Sequence, residues 1–199
     1  MTPALPPWPS VAPTSGRVFL RRFEDDDVAM VRDLSTDPYV PLIGTLDADC
    51  DEAGARAYID RQHSRHPDGT GYSFAVADSV SGEALGTIGL WLRDRTLGRA
   101  QAGYAVAPSA RRRSVGTDAL RALVPFAWSF PELHRLELHI EPLNEGSVTI
   151  AERAGFSCEG VLRSYLKIGG RRRDLASYAL VRASTPSSGT PHAWPSKNQ

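Results

Sequence analysis

Arg111, Arg112 and Arg113 run straight into Ser114-Val115-Gly116-Thr117, and a segment of this kind has the chemistry to hold an anion. A strand pattern, Ala102 to Ala107, precedes it, and an apolar helical pattern beginning near Thr117 continues through Trp128. A loop that opens a helix presents unpaired backbone N–H groups and the positive end of the helix dipole. That arrangement suits a phosphate or pyrophosphate, and neighbouring arginines add charge-assisted hydrogen bonds. Ser114 supplies an amide as a glycine would, so its side chain matters only if the position demands a positive φ. Gly116 is where the closest backbone approach is expected. The plain alternative is an exposed basic helix start.

A second group lies about thirty residues on. Asn144 and Ser147 are three apart, so at a helix start they share one face. Asn is also a preferred N-cap, which gives Asn144 a purely structural role to fill. Just upstream, Glu137, His139 and Glu141 alternate and would project from the same side of a strand. Histidine has the intrinsic pKa best placed for proton transfer at neutral pH, and burial can raise a carboxylic acid toward that range. Two cysteines, Cys50 and Cys158, stand far apart with no metal-ligand spacing, so no metal is expected. The acidic run Glu24–Asp27 reads as helix capping and solvation.

These two blocks, in this order and spacing, resemble the GNAT superfamily of acetyl-CoA-dependent N-acetyltransferases. Asn144, Ser147 and the helix exit Ala154-Gly155-Phe156 are similar to its RimJ/RimL-like branch, which includes acetylators of ribosomal-protein N-termini. Glu159-Gly160-Val161-Leu162-Arg163 and Gly170 to Asp174 extend the likeness, which covers residues 17 to 183. The resemblance implies that Arg111, Arg112, Arg113, Ser114, Val115, Gly116 and Thr117 hold the coenzyme A pyrophosphate. Ser114 departs from the family pattern, standing where its first glycine would be. The resemblance also implies that the Val106 amide contacts the thioester oxygen and that Asn144 and Ser147 meet the pantetheine arm and sulfur. Many relatives place a tyrosine one turn beyond the serine as the acid for the departing thiolate. Ala151 stands there in this chain, so Ser147, with water, becomes the expected proton donor. Glu137 occupies the Arg-Leu-Glu position where some relatives carry their base. It is the expected base here, acting through water, with His139, Glu141 or water alone as alternatives. Tyr104 serves either as part of the cofactor edge or as plain core.

The implied reaction is direct attack by a primary amine on acetyl-CoA in a ternary complex. The acceptor expected is a peptide or protein N-terminal α-amine, with an antibiotic, polyamine or amino acid as the alternative. A non-catalytic acyl-CoA-binding sensor is the rival from another class, and the family also allows a homodimer. Tyr39 to Leu46 and Tyr165 to Arg173 are the expected acceptor walls, with Asp47, Asp49 and Asp51 available to guide an ammonium. Cys158 falls on a strand away from the expected thioester, which disfavours an acetyl-cysteine route.

The elements that must position these residues alternate along the chain. Val18–Phe23 reads as a strand, Val28–Leu34 and Asp51–Arg65 as helices, and three strands follow between 72 and 107. Arg135–Glu141 is a further strand, Glu145–Arg153 a helix, and strands near 158–168 and 174–182 flank a Gly169-Gly170 turn. This describes an α/β (α+β) sandwich with a mixed, mostly antiparallel sheet and flanking helices, the GNAT fold. A doubly wound parallel sheet would need a helix between nearly every strand pair.

Composition sets the outer bounds. A chain of 199 residues with 41% hydrophobic and 23% charged content suits one globular domain. Formal net charge is zero, which argues against a general nucleic-acid binder despite the arginine triplets. No apolar run approaches the roughly 18 residues that span a bilayer, so neither a membrane partner nor a secretory signal is expected. The expected location is cytoplasmic. Residues 1–16 and 184–199 are rich in Pro, Ser and Ala and read as flexible extensions of a domain at 17–183. Trp8 and Trp194 are the unexplained large residues in them; the ordinary role for either is docking on the domain surface.

Overall fold

The computed structural model describes residues 5–183. Trp194 and the tail at 184–199 lie outside the described residues. Among the described residues, eight strands form a single sheet in the order β1-β2-β3-β4-β5-β6-β8-β7. They are β1 Thr14–Ser15, β2 Val18–Arg21, β3 Gly71–Asp78, β4 Ala84–Trp91, β5 Arg99–Val106, β6 Arg135–Ile140, β7 Ser157–Ile168 and β8 Arg171–Val181. Five α-helices accompany them: α1 Val28–Ser35, α2 Val40–Ile43, α3 Glu52–Ser64, α4 Val115–Trp128 and α5 Glu145–Arg153. Every strand pair is antiparallel except β5–β6. The expected mixed, mostly antiparallel sandwich is therefore the fold.

Helices cover both faces of β3, so all eight of its residues are buried. Ser73 donates to Gln62 of α3 at 2.9 Å on one face. Tyr72 and Phe74 meet Phe126 of α4 edge-on at 4.9 and 5.3 Å on the other. Four of these helices follow their sequence patterns, whereas α2 falls in a segment for which the sequence pattern gives no helix. Met30, Val31 and Leu34 bury one stripe of α1, and Val115, Ala119, Leu120 and Leu123 bury one stripe of α4. Asp51 caps α3 by accepting from the Gly54 amide at 2.8 Å. Trp8 packs on the α4 face, its ring 5.4 Å from Tyr72 and 5.0 Å from Phe74, with the Arg22 guanidinium over it.

The closing hairpin turns where the glycines predict it. Gly169 and Gly170 have φ of 54° and 80°, the pair of positive values that a two-residue turn of matching twist requires. The feature that matters for chemistry lies between β5 and β6. These two pair for only three positions, Arg99 with Arg135, Ala100 with Leu136 and Gln101 with Glu137, and then separate. β4 stays paired with β5 as far as Val106. From Ala102 onward one edge of β5 is therefore free of a strand partner.

Candidate active site

Ladder parity shows what that free edge presents. The Ala107 amide donates to the Leu85 carbonyl at 3.0 Å, so the hydrogen-bonded pairs of β4–β5 fall at alternate residues: 107, 105, 103 and 101. The backbone groups of Tyr104 and Val106 therefore point the other way, into the gap. The Val106 carbonyl accepts from Arg111 Nε at 3.2 Å. Its N–H faces the gap with no ladder partner. The separation of β5 from β6 is what leaves this N–H without a strand partner.

Two cavities meet at this gap. The larger, about 760 Å³, is a groove between α4 and α5 whose walls include Val106, Arg112, Ser114, Gly116, Asn144 and Ser147. Arg111, Val115 and Thr117 also line it, whereas Arg113 lines neither cavity. The smaller, about 430 Å³, is a chamber on the α3 face of the sheet. Tyr39, Tyr104, Glu141, Asn144 and Ser147 belong to both. The groove and the chamber thus approach one another through the opened sheet.

The groove has the donors that a pyrophosphate needs. α4 begins at Val115, two residues earlier than the pattern predicts, so Val115, Gly116 and Thr117 form its first turn. Amides in a first turn have no carbonyl partner within the helix, and no side chain caps this one. Ser114 has φ 62° and Arg112 φ 61°, so both lie in the left-handed region. Position 114 therefore does demand the conformation a glycine prefers, and a serine occupies it at some cost. A Cβ on Gly116 would come within 2.8 Å of the Ile150 side chain, so this glycine also sets how closely α4 approaches α5. A bulky substitution there would disturb helix packing as well as the groove.

Arg111 spans more than the loop. Its Nη2 lies 2.5 Å from Asp37 Oδ2, and Asp37 is 7% exposed. The other Asp37 oxygen accepts from the Tyr39 and Val40 amides at 2.7 and 2.9 Å and so opens α2. Burial works against ionisation of Asp37, but the Val40 amide, the Arg111 guanidinium and the Tyr39 amide outweigh it and hold the carboxyl below its ordinary value. Asp37-Pro38 was the available sequence signal for this turn.

Asn144 takes the capping role, its Oδ1 accepting from the Ser147 amide at 3.1 Å. The Ser147 carbonyl accepts from the Tyr104 hydroxyl at 3.1 Å, which pins the start of α5 to β5. Tyr104 is therefore more than core. No hydrogen bond engages the Ser147 hydroxyl among the described residues, and Ser147 lines both cavities. Ala151 is fully buried, so position 151 contributes nothing to the groove.

The three alternating residues of β6 part company. Glu137 accepts from Arg135 Nε at 2.5 Å and lines neither cavity; Arg135 also binds Glu159. His139 lines the chamber, 5.2 Å from the Tyr165 ring, and burial lowers its pKa against the pull of Glu137. Glu141 reaches the junction itself. Tyr39 donates to its carboxylate at 3.4 Å, and Arg173 Nε stands 3.7 Å from it. Burial, then the Glu141 charge, push the Tyr39 phenol up to about 12. Arg65 and Trp91 complete the chamber floor, and sequence reasoning gave no reason to single them out. No described helix is long and apolar enough to cross a membrane, and no cluster of potential metal ligands occurs among the described residues.

A GNAT acetyltransferase domain model matches residues 17–157, and the chain belongs to this family. It is an N-acetyltransferase whose relatives include the RimJ/RimL type. The [ribosomal protein uS5]-alanine N-acetyltransferase of Escherichia coli is 24% identical, over 89% of this chain and 93% of its own. An uncharacterized N-acetyltransferase, p20 of Bacillus licheniformis, is 26% identical over 83% and 93%. Mycobacterium smegmatis RimJ, solved in complex with CoA-disulfide, superposes with a TM-score of 0.71 at 24% identity, covering 88% of this chain and 90% of that one.

Proposed function

We propose that residues 17–183 form an enzyme that moves the acetyl group of acetyl-CoA to a peptide or protein N-terminal α-amine. The reaction is direct attack in a ternary complex. The observation that carries this reading is the meeting of the groove and the chamber at the β5–β6 gap. Bound in the groove, acetyl-CoA supplies an activated thioester. The first-turn amides of α4 and Arg112 hold its phosphates, and the Val106 N–H donates to the carbonyl oxygen where negative charge develops.

The acceptor occupies the chamber with its nitrogen at the junction. Glu141, rather than Glu137, is the base: it lies at both cavities, while Glu137 is held by Arg135 away from them. Glu141 takes the ammonium proton through water, and the free amine then forms its N–C bond as the C–S bond breaks. Ser147, its hydroxyl uncommitted, passes a proton to the departing sulfur and is restored, through water, by the proton that the attacking nitrogen sheds on becoming an amide. The chamber supports a peptide acceptor because Tyr39, Tyr165 and Leu166 wall it with apolar surface suited to an extended chain.

Calorimetric titration with acetyl-CoA, followed by thiol release against short peptides, polyamines, amino acids and aminoglycosides, tests the proposal. The expected result is saturable acetyl-CoA binding and release with the peptides. Binding without release on any amine would favour an acyl-CoA sensor, and no binding would remove the groove assignment.

A further inference from the structure

The chamber is charged at two places and nowhere else along its lining. One is Glu141 at the junction, and the other is Arg65. Arg65 follows the last residue of α3, and its guanidinium lies 5.3 Å over the ring of Trp91, at the end of β4. Trp91 lies against the paired glycines of β4 and β5. A Cβ on Gly103 or Gly89 would come within 2.8 or 3.1 Å of its ring. The indole is thus fixed as a floor, and Arg65 is stacked on it. No carboxylate pairs with Arg65 among the described residues, and its side chain donates no hydrogen bond there, although burial lowers its pKa. Neighbouring Gln62 is already committed, donating to the Tyr58 carbonyl at 3.0 Å and accepting from Ser73. Among the described residues, Glu141 is the one carboxylate in the chamber wall, and no ion pair joins it to Arg65.

A half-buried guanidinium without an anion is an incomplete ion pair, and burial makes its completion more favourable than it would be in open water. Building on the peptide-acceptor reading above, we infer that Arg65 selects the acceptor by binding a carboxylate carried a few residues behind the reacting amine.

Register gives the distance. Trp91 pairs with Gln101, while the junction lies at Tyr104 to Val106. Three to five residues at ~3.3 Å each separate Arg65 from the reaction centre by about 10–17 Å. An α-amino acid carries its carboxylate far too close to the nitrogen to reach both ends. An extended peptide spans roughly 3.3–3.6 Å per residue, so an acidic side chain on its second to fourth residue fits. The same arrangement disfavours polycations, since their second ammonium would be driven toward Arg65.

The test uses amidated hexapeptides beginning with Ser. A single Glu is moved through positions 2, 3 and 4, and each peptide is compared with its Gln counterpart. Turnover is followed by thiol release and binding by calorimetry in the presence of CoA. The expected result is at least a tenfold higher kcat/KM for one Glu position, carried mainly by KM. Arg65→Gln should bring that ratio to about one, and Arg65→Lys should keep part of it. Equal rates on Glu and Gln peptides, or a preference that survives Arg65→Gln, would overturn the role of Arg65 and leave the peptide reading standing. Acetyl-CoA binding with neither turnover nor binding of any peptide would overturn both.

Discussion

Arg111 Nη2 and Asp37 Oδ2 lie 2.5 Å apart, and this contact joins the basic loop to the turn that carries Tyr39 into the chamber. Arg111 also holds the Val106 carbonyl. One guanidinium thus links α2, the free edge of β5 and the loop before α4. If that linkage positions both cavities, Asp37→Asn should raise KM for acetyl-CoA and for the acceptor together. A double-mutant cycle with Arg111→Gln should give a coupling of about 0.5–1 kcal/mol, since Arg111 remains half exposed. Strictly additive effects would mean that the two residues act separately.

Ser114 carries a positive φ immediately before α4, in a conformation costing roughly 1–2 kcal/mol for a residue with a Cβ. Ser114→Gly removes that cost and keeps the backbone amide. The variant should be about 1 kcal/mol more stable, a rise in Tm of ~2–4 °C for a chain of this size. Acetyl-CoA affinity should hold or improve. Thermal melts with and without the cofactor check both points.

The elements around this loop were legible in the sequence because their signals are local. The Asn144 cap and the Gly155 exit bracket α5, and Glu145–Arg153 is a helix as predicted. Gly169-Gly170 marks its own turn. Gly155 and the glycines of the hairpin show their conformational role by their type; Ser114 and Arg112 hide the same role under ordinary side chains. Among Glu137, His139 and Glu141, alternation shows that they share a face but not that Arg135 occupies the first. The gap opens along β5 and β6 only because their pairing stops at Gln101, a long-range fact with no local signature. Arg65 and Trp91 are twenty-six positions apart, and nothing in either neighbourhood announces that one lies over the other.

The two phenols at the junction are excluded as bases by their surroundings. Burial pushes Tyr104 up to about 12, and burial with the Glu141 charge does the same for Tyr39. Both should stay protonated through pH 10, so Tyr39→Phe should leave the alkaline limb of the rate profile unmoved. The folded-state values are raised, so these groups stabilise the fold fully below the unfolded value of about 10. That contribution is lost as pH climbs from about 10 toward 12. A spectrophotometric titration in which Tyr39→Phe removes a phenol ionising near 10 would contradict this.

The two glutamates of β6 make opposite predictions. Glu141→Gln should lower kcat by about 10²–10⁴ while leaving acetyl-CoA binding nearly intact, as expected when a general base is removed. Glu137→Gln should barely change kcat. It deprives Arg135 of one of its two carboxylate partners and should cost about 1 kcal/mol of stability. Pre-steady-state thiol release and urea denaturation of both variants separate the roles. A slow Glu137→Gln enzyme with wild-type stability would reverse the assignment.

Val106 allows a backbone donor to be deleted without breaking a ladder. Its N–H points into the gap, while the β4–β5 hydrogen bonds fall on the alternate residues 105 and 107. Proline removes that N–H and accepts the extended neighbour that a strand provides. Val106→Pro should therefore fold, and Val106→Ala serves as the control for the lost side chain. If the amide holds the carbonyl oxygen as charge builds, kcat should fall about 10²–10³-fold in the proline variant alone. CoA itself lacks that carbonyl, so its affinity should change little in either variant. Equal loss in the proline and alanine variants would place the effect in the side chain and remove the oxyanion role of the amide.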